Sequence, residues 1–184
     1  DGDARAAYKN VQFDVRTYKK LKMFVHAEEA LKTVPLKDQD LTLFVRLGTD
    51  FVDNYYEYEL PLNLTQWGAT LPEDIWPESN NMEIVFDDLL SLKKKRNDLI
   101  DGGSTSVSYV IEYSQVDPAN PKRKIKVKGS PNLQGIKTIM IGVRNPGKSS
   151  NTTWPDDGMP KCAIVWINEL RLTDFISEGG SAAV

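Results

Sequence analysis

Paired acids, a lone histidine, a lone cysteine and loop tryptophans are the residues of this sequence with the means to do chemistry. Asp87-Asp88 and Asp156-Asp157, the second pair followed by Gly158, set carboxylates side by side. Calcium takes several oxygen ligands from groups of this kind. The same acids at a helix start or a turn cap backbone amides instead. Asn168-Glu169 interrupts an apolar run and offers further oxygens, either to a cation or to the amides of adjacent loops. His26 is the single histidine, so no multi-histidine metal site is available, and no partner for a general base stands near it in sequence. Its place within a strand pattern marks it as a packed or surface residue. Cys162 lacks a nucleophile motif and precedes a β-forming run, which makes it a small hydrophobe. Gly147-Lys148-Ser149-Ser150 looks like the end of a phosphate loop but lacks the upstream glycine and opens no helix. Catalysis is not expected, nor is a cofactor, with structural calcium on the acids the single candidate.

Recognition is the chemistry left. Trp67, Trp76 and Trp154 all fall in polar loops, where aromatic platforms for a sugar or a protein partner can sit. Leu64, Leu71 and Ile75 neighbour the first two, and would fold them down as a plug over an open sandwich end. Two glycosylation sequons begin at Asn63 and Asn151.

The chain has 184 residues and a net charge of −3, enough length for a sizeable core and the wrong balance for a nucleic-acid face. One cysteine excludes an internal disulfide. No apolar run reaches the roughly 20 residues of a membrane-spanning helix, so direct membrane insertion is not expected.

The elements that must position these residues are almost all strands. VQFDVRTY alternates Val11, Phe13 and Val15 against polar neighbours, and LKMFVHAE does so with Leu21, Met23 and Val25. LTLFVRLG, YYEYELPL, MEIVF, SVSYVIEY, KIKVKG, KTIMIGV and AIVWINELRL follow. Nine short strands between turn-rich segments predict an all-β fold, a β-sandwich or jelly roll of two antiparallel sheets. One short helix is predicted over Asp88 to Asn97, capped by Asp87 or Asp88, with Lys93 to Arg96 in a solvated last turn. A shorter helical turn is predicted at SPNLQG. Residues 1–10 read as a tail cut from a longer protein, 11–176 as a single β-sandwich domain and 177–184 as a C-terminal tail. The core prediction includes Tyr109, Ile141 and Trp166, with Ile164 and Trp166 facing inward on a central last strand.

Several blocks occur together in order: LTLFVRLGTDFVDNYYEYELPL, LNLTQWG, IWPESNNMEIVFDDLLSLKKKRN, GSPNLQGIKTIMIGVRNP and VWINELRLTDF. Together they resemble the SprA (Sov) family, giant outer-membrane translocon subunits of the type 9 secretion system of Bacteroidetes, tied also to gliding motility. The last strand is also similar to those of galactose-binding-like jelly rolls. The ending EGGSAAV departs from the family's Gly-Gly-Trp-Ala-Ala-like continuation, with Ser181 at the tryptophan position.

The resemblance implies a non-catalytic soluble domain of a much larger barrel protein in the outer membrane of a Gram-negative cell envelope, facing the periplasm or the exterior. It implies as partners the rest of the barrel, other secretion subunits and secreted cargo. Asn168 and Glu169 would then hold loops. The alternative from a different class is a carbohydrate-binding module for surface glycan, resting on fold analogy.

Overall fold

Leu43, Val45 and Leu47 alternate with Phe44 and Arg46 along one strand, and that alternation decides which way the larger sheet faces. In the computed structural model of the chain, residues 2–31, 35–147 and 159–176 are described. The strands are β1 (Ala4–Phe13), β2 (Tyr18–Glu29), β3 (Thr42–Gly48), β4 (Tyr55–Pro61), β5 (Met82–Val85), β6 (Tyr113–Asp117), β7 (Asn120–Lys128), β8 (Ile136–Arg144) and β9 (Ala163–Phe175). Two helices, α1 (Pro72–Ile75) and α2 (Phe86–Asp101), and a 3₁₀ turn over Glu78–Asn80 interrupt them. Six strands form one antiparallel sheet in the order β1-β8-β3-β4-β7-β6, and three form another in the order β5-β2-β9. The chain is a β-sandwich with unequal layers.

The core lies between the sheets. Val45, Tyr56, Tyr58, Ile125 and Val127 of the larger sheet are buried against Leu21, Met23, Val25 and Ile84 of the smaller. Three strands cannot cover six. At the β6–β7 end the deficit is filled by α2, which packs on β7, β2, β6 and β5 and buries Phe86, Leu89 and Leu92. At the β1 end no element among the described residues fills it.

Several sequence expectations are corrected. Residues 4–10 are not a tail: they form most of β1, paired from Ala4 opposite Arg144 to Asn10 opposite Thr138. The pairing is carried by backbone bonds at a sheet edge and asks for no apolar alternation. The strand expected over SVSYVIEY begins only at Tyr113, and Tyr109, Val110 and Ile111 are exposed. SPNLQG holds a turn and no helix. The main helix runs longer than predicted and starts after Val85, with Asp87 and Asp88 in its first turn and no side-chain cap. Lys93 to Arg96 are therefore mid-helix. Lys93 donates to the Pro131 carbonyl at 2.8 Å, and the fully buried Arg96 donates to the Gly129 carbonyl at 2.7 Å and stacks on Tyr109 at 4.8 Å. These two cations staple the β7–β8 connection to the helix. The last strand, β9, is an edge strand, since β2 is its one partner.

The outer face of the larger sheet carries charge in place of a covering layer. Glu57 on β4 is 0% exposed, beneath Arg46, Lys126 and Arg144 from β3, β7 and β8. Lys126 also pairs with Glu59 at 2.7 Å, and Arg144 pairs with Glu59 as well. Arg144 spreads over the Phe44 ring at 4.5 Å. That ring crosses Gly142, where a Cβ would come within 2.6 Å of it, so the position admits no side chain. Burial alone would raise the Glu57 pKa, but Lys126, Arg144 and Arg46 outweigh it and hold the carboxyl at about 2.

A carboxyl held below its ordinary range lends stability that is complete above that range and fades as pH falls toward the folded value. Unfolding free energy should therefore be level above about pH 4.5 and decline between there and about pH 2. Glu57→Gln should cost about 3 kcal/mol at neutral pH, because three half-buried cations lose their shared, fully buried anion. It should also flatten the acid decline. Urea unfolding of both proteins across pH measures this; equal stability at neutral pH would contradict it.

Candidate interaction surface

AIVWI is a run of consecutive apolar residues, so it offers apolar groups to both faces of any strand it forms. Pairing with β2 decides which of them point inward. Val25 and Ala27 are core residues of β2, and they stand opposite Ile167 and Val165. Ala163, Val165 and Ile167 therefore face the sandwich, while Ile164 and Trp166 face away. This reverses the expected register of Ile164 and Trp166: Trp166 is 60% exposed. The polar outer side of β2, with Lys20, Lys22 and His26, forces the reversal.

Asn168-Glu169 marks a β-bulge. Lys22 pairs with Arg171 and Phe24 with Asn168, so Glu169 and Leu170 together oppose Met23 alone. Glu169 takes the left-handed conformation, φ 54°, that such a bulge requires. The extra residue shifts the alternation, so that Leu170 and Leu172 join Val165 and Ile167 on the inner side while Arg171 and Phe175 lie outside. Arg171 there pairs with Glu169 and lies over the Phe24 ring at 5.2 Å. Phe175 is 64% exposed and meets Tyr18 edge-on at 5.6 Å.

Further along the same outer face, His26 is buried between two tryptophans. Trp76, from the loop between β4 and β5, and Trp166, from β9, each stand 5.9 Å from its ring. The Nδ1 atom lies 2.7 Å from the Ile75 carbonyl, which can only accept, so Nδ1 carries the proton. Nε2 faces the Glu28 carboxylate at 3.7 Å. The Thr65 hydroxyl is buried beside this ring and bonds the carbonyls of Asp74 and Ile75. The Thr65 amide donates to Ala27, extending the small sheet where β5 has ended. Trp76 thus closes a plug over His26. Thr65, the third residue of the first sequon, is committed to that plug.

The other candidate residues scatter. Trp67 is 63% exposed on the same loop. Trp154, Asp156 and Asp157, with the second sequon and Lys148-Ser149-Ser150, lie outside the described residues. Asp87 and Asp88 sit together at the α2 N-terminus, where burial, Asp117 and Asp87 push the Asp88 carboxyl up. Asn168 and Glu169 are on the far edge strand. Among the described residues no three His, Cys, Asp or Glu side chains gather around a metal-sized site. Cys162 is half-buried just before β9. Sequence reasoning missed Ile164, Trp166 and Phe175 as surface residues. The signal was there: a strand apolar on both faces at the end of a sandwich has one face too many.

The family model described as motility-related/secretion protein, SprA_N, matches residues 1–184. The chain belongs to the SprA_N family. Membership makes it a secretion- and motility-related domain and ties it to the cell envelope and to other secretion components. No curated protein matches the chain. Among the described residues no helix is long and apolar enough to cross a membrane.

Two measurements check the reading of β9. Trp166→Ala should lower unfolding free energy by no more than about 1 kcal/mol, where truncating the buried Leu92 should cost about 3. At the bulge, Glu169→Gly should leave stability equal or higher, whereas Glu169→Val should lose about 1–2 kcal/mol, since a β-branched residue resists positive φ. Urea unfolding gives all four values. A larger loss for Trp166→Ala than for Leu92→Ala would reverse the face assignment.

Proposed function

We propose that this chain is a non-catalytic, soluble interaction domain of an outer-membrane protein translocon serving type 9 secretion and gliding motility. In this reading it needs no cofactor. It packs against the translocon barrel or a partner subunit, on the periplasmic or the outer side. Family membership over the whole sequence supports the pathway. The observation that carries the mode of action is the outer face of β9, where Ile164, Trp166 and Phe175 stay exposed on one edge strand of a well-packed sandwich. Exposed aromatics clustered on a rigid strand are the residues that dominate protein interfaces. Trp67 extends the candidate contact; Trp76 serves it by holding the loop down over His26.

The test replaces Trp166 and Phe175 with Ala in the intact secretion protein, after the purified double variant has been shown to melt like the wild type. Cargo secretion and gliding should fall about ten-fold or more, with loss of co-purifying secretion subunits. Undiminished secretion would remove this face from the account. Tight, specific binding of a glycan by the wild-type chain would favour the carbohydrate-binding reading, for which the exposed Trp67 and Trp166 would be the platforms.

A further inference from the structure

The inner side of β9 has its own unmet requirement. Where the small sheet stops, Leu21, Ile139, Ile141, Ile167, Leu170 and Leu172 line an open groove of about 740 Å³ between β9 and β1. Ile167 and Leu170 point toward the sandwich and are still 42% and 40% exposed. A second hollow of about 610 Å³ lies between the same two strands, beside Arg5, Val143 and Val165. Both rims are strand edges. Among the described residues β1 pairs with β8 alone and β9 with β2 alone, so each presents a free row of N–H and C=O groups toward the opening.

The groove is also charged on one wall. Register with β8 puts Arg5 opposite Val143, Ala7 opposite Ile141 and Lys9 opposite Ile139, so all three share the groove-facing side of β1. Arg5 and Lys9 are exposed, and among the described residues no acid pairs with either. Two cations, spaced two residues either side of an alanine, stand along the opening, Lys9 at the apolar groove and Arg5 at the second hollow.

The geometry points to an occupant: we propose that the groove receives an extended strand from a partner protein, added to the free edge of β9 as a fourth strand of the small sheet. Its inward residues would read acid, apolar, acid at every second position. Facing strands in a sandwich share the repeat of about 6.6 Å per two residues and run nearly aligned, so this spacing matches Arg5, Ala7 and Lys9 in either strand direction. A lipid chain or other apolar ligand would fill the slot but leave the strand edges unpaired. A second copy of this chain fits poorly. Its β1 would set Arg5 and Lys9 against the same cations, and the acid near the end of its β9, Asp174, already stands 3.7 Å from its own Lys20. This groove lies on the opposite face of β9 from the aromatic contact surface, so either can fail without the other.

The experiment titrates residues 1–184 into two fluorescein-labelled nonapeptides and follows anisotropy. One is Thr-Thr-Glu-Thr-Val-Thr-Glu-Thr-Thr; the other carries Lys in place of both Glu residues. The acidic peptide should bind about ten-fold tighter or better at low salt, with the preference shrinking at high salt. The double variant Arg5→Glu/Lys9→Glu, shown by circular dichroism to be folded, should invert the preference. Trp166→Ala, on the opposite face of β9, should leave it unchanged. Failure to bind the acidic peptide, equal binding of both, or a preference that survives the charge reversal would overturn the proposal. Concentration-dependent self-association that blocks the groove would overturn it in favour of a second copy.

Discussion

Six strands with an apolar inner face need a second layer of similar width, and the described residues set three strands and the helix α2 against them. Most of the molecule can be understood from that mismatch. The helix must lie beside β5, because Phe86, Leu89 and Leu92 complete the core where Tyr56, Ile125 and Val127 would otherwise meet water. At the other end, among the described residues, β9 is left with neighbours on one side only, and β1 closes the larger sheet with no element above it. The open side is a consequence of strand count and not of local weakness. The residues exposed there lie on regular, paired strands.

The two outward faces solve their exposure differently, which separates the part of the surface that is finished from the part that is not. On the larger sheet Glu57, Glu59, Arg46, Lys126 and Arg144 neutralise one another, and Phe44 lies flat beneath a guanidinium. That charge cluster satisfies itself. On β9 the outer side keeps Ile164, Trp166 and Phe175 in water, the inner side keeps Ile167 and Leu170 half in water, and the strand edge keeps its amides unpaired. Apolar side chains and main-chain groups left over on one strand describe an interface awaiting its other half. Membership of a secretion and motility family gives that half a context.

How much of this was legible in the sequence depended on what the residues themselves could report. Period-two alternation located β2, β3, β4 and β8 and put Met23, Val25, Leu43, Val45, Tyr58, Ile139 and Ile141 on the inner side, where the core holds them. It failed on β1, whose strand comes from pairing with β8, and on 106–112, where apolar residues serve a bend that Arg96 stacks against. The face of β9 could not be read alone, since Ile164 to Ile167 are all apolar; only the register with Val25 and Ala27 decides it. Asn168-Glu169 was visible as an oddity, but its meaning is a backbone event, a bulge with positive φ, that no side-chain pattern encodes. Of the candidate residues, Trp67 and Trp76 were expected to fold down together as a plug over a sandwich end, but Trp67 is exposed and Trp76 packs instead on His26 at the outer face of β2, while Trp166 was assigned to the core and belongs to the surface.

Amide hydrogen exchange compared between the isolated chain and the intact secretion assembly tests most directly whether the open side is where this domain is engaged. The account predicts that amides of β9 and β1 exchange quickly in the isolated chain and slow by about ten-fold or more in the assembly, while those of β4 and β7 change little. Equal exchange of β9 and β1 in the two states would contradict it.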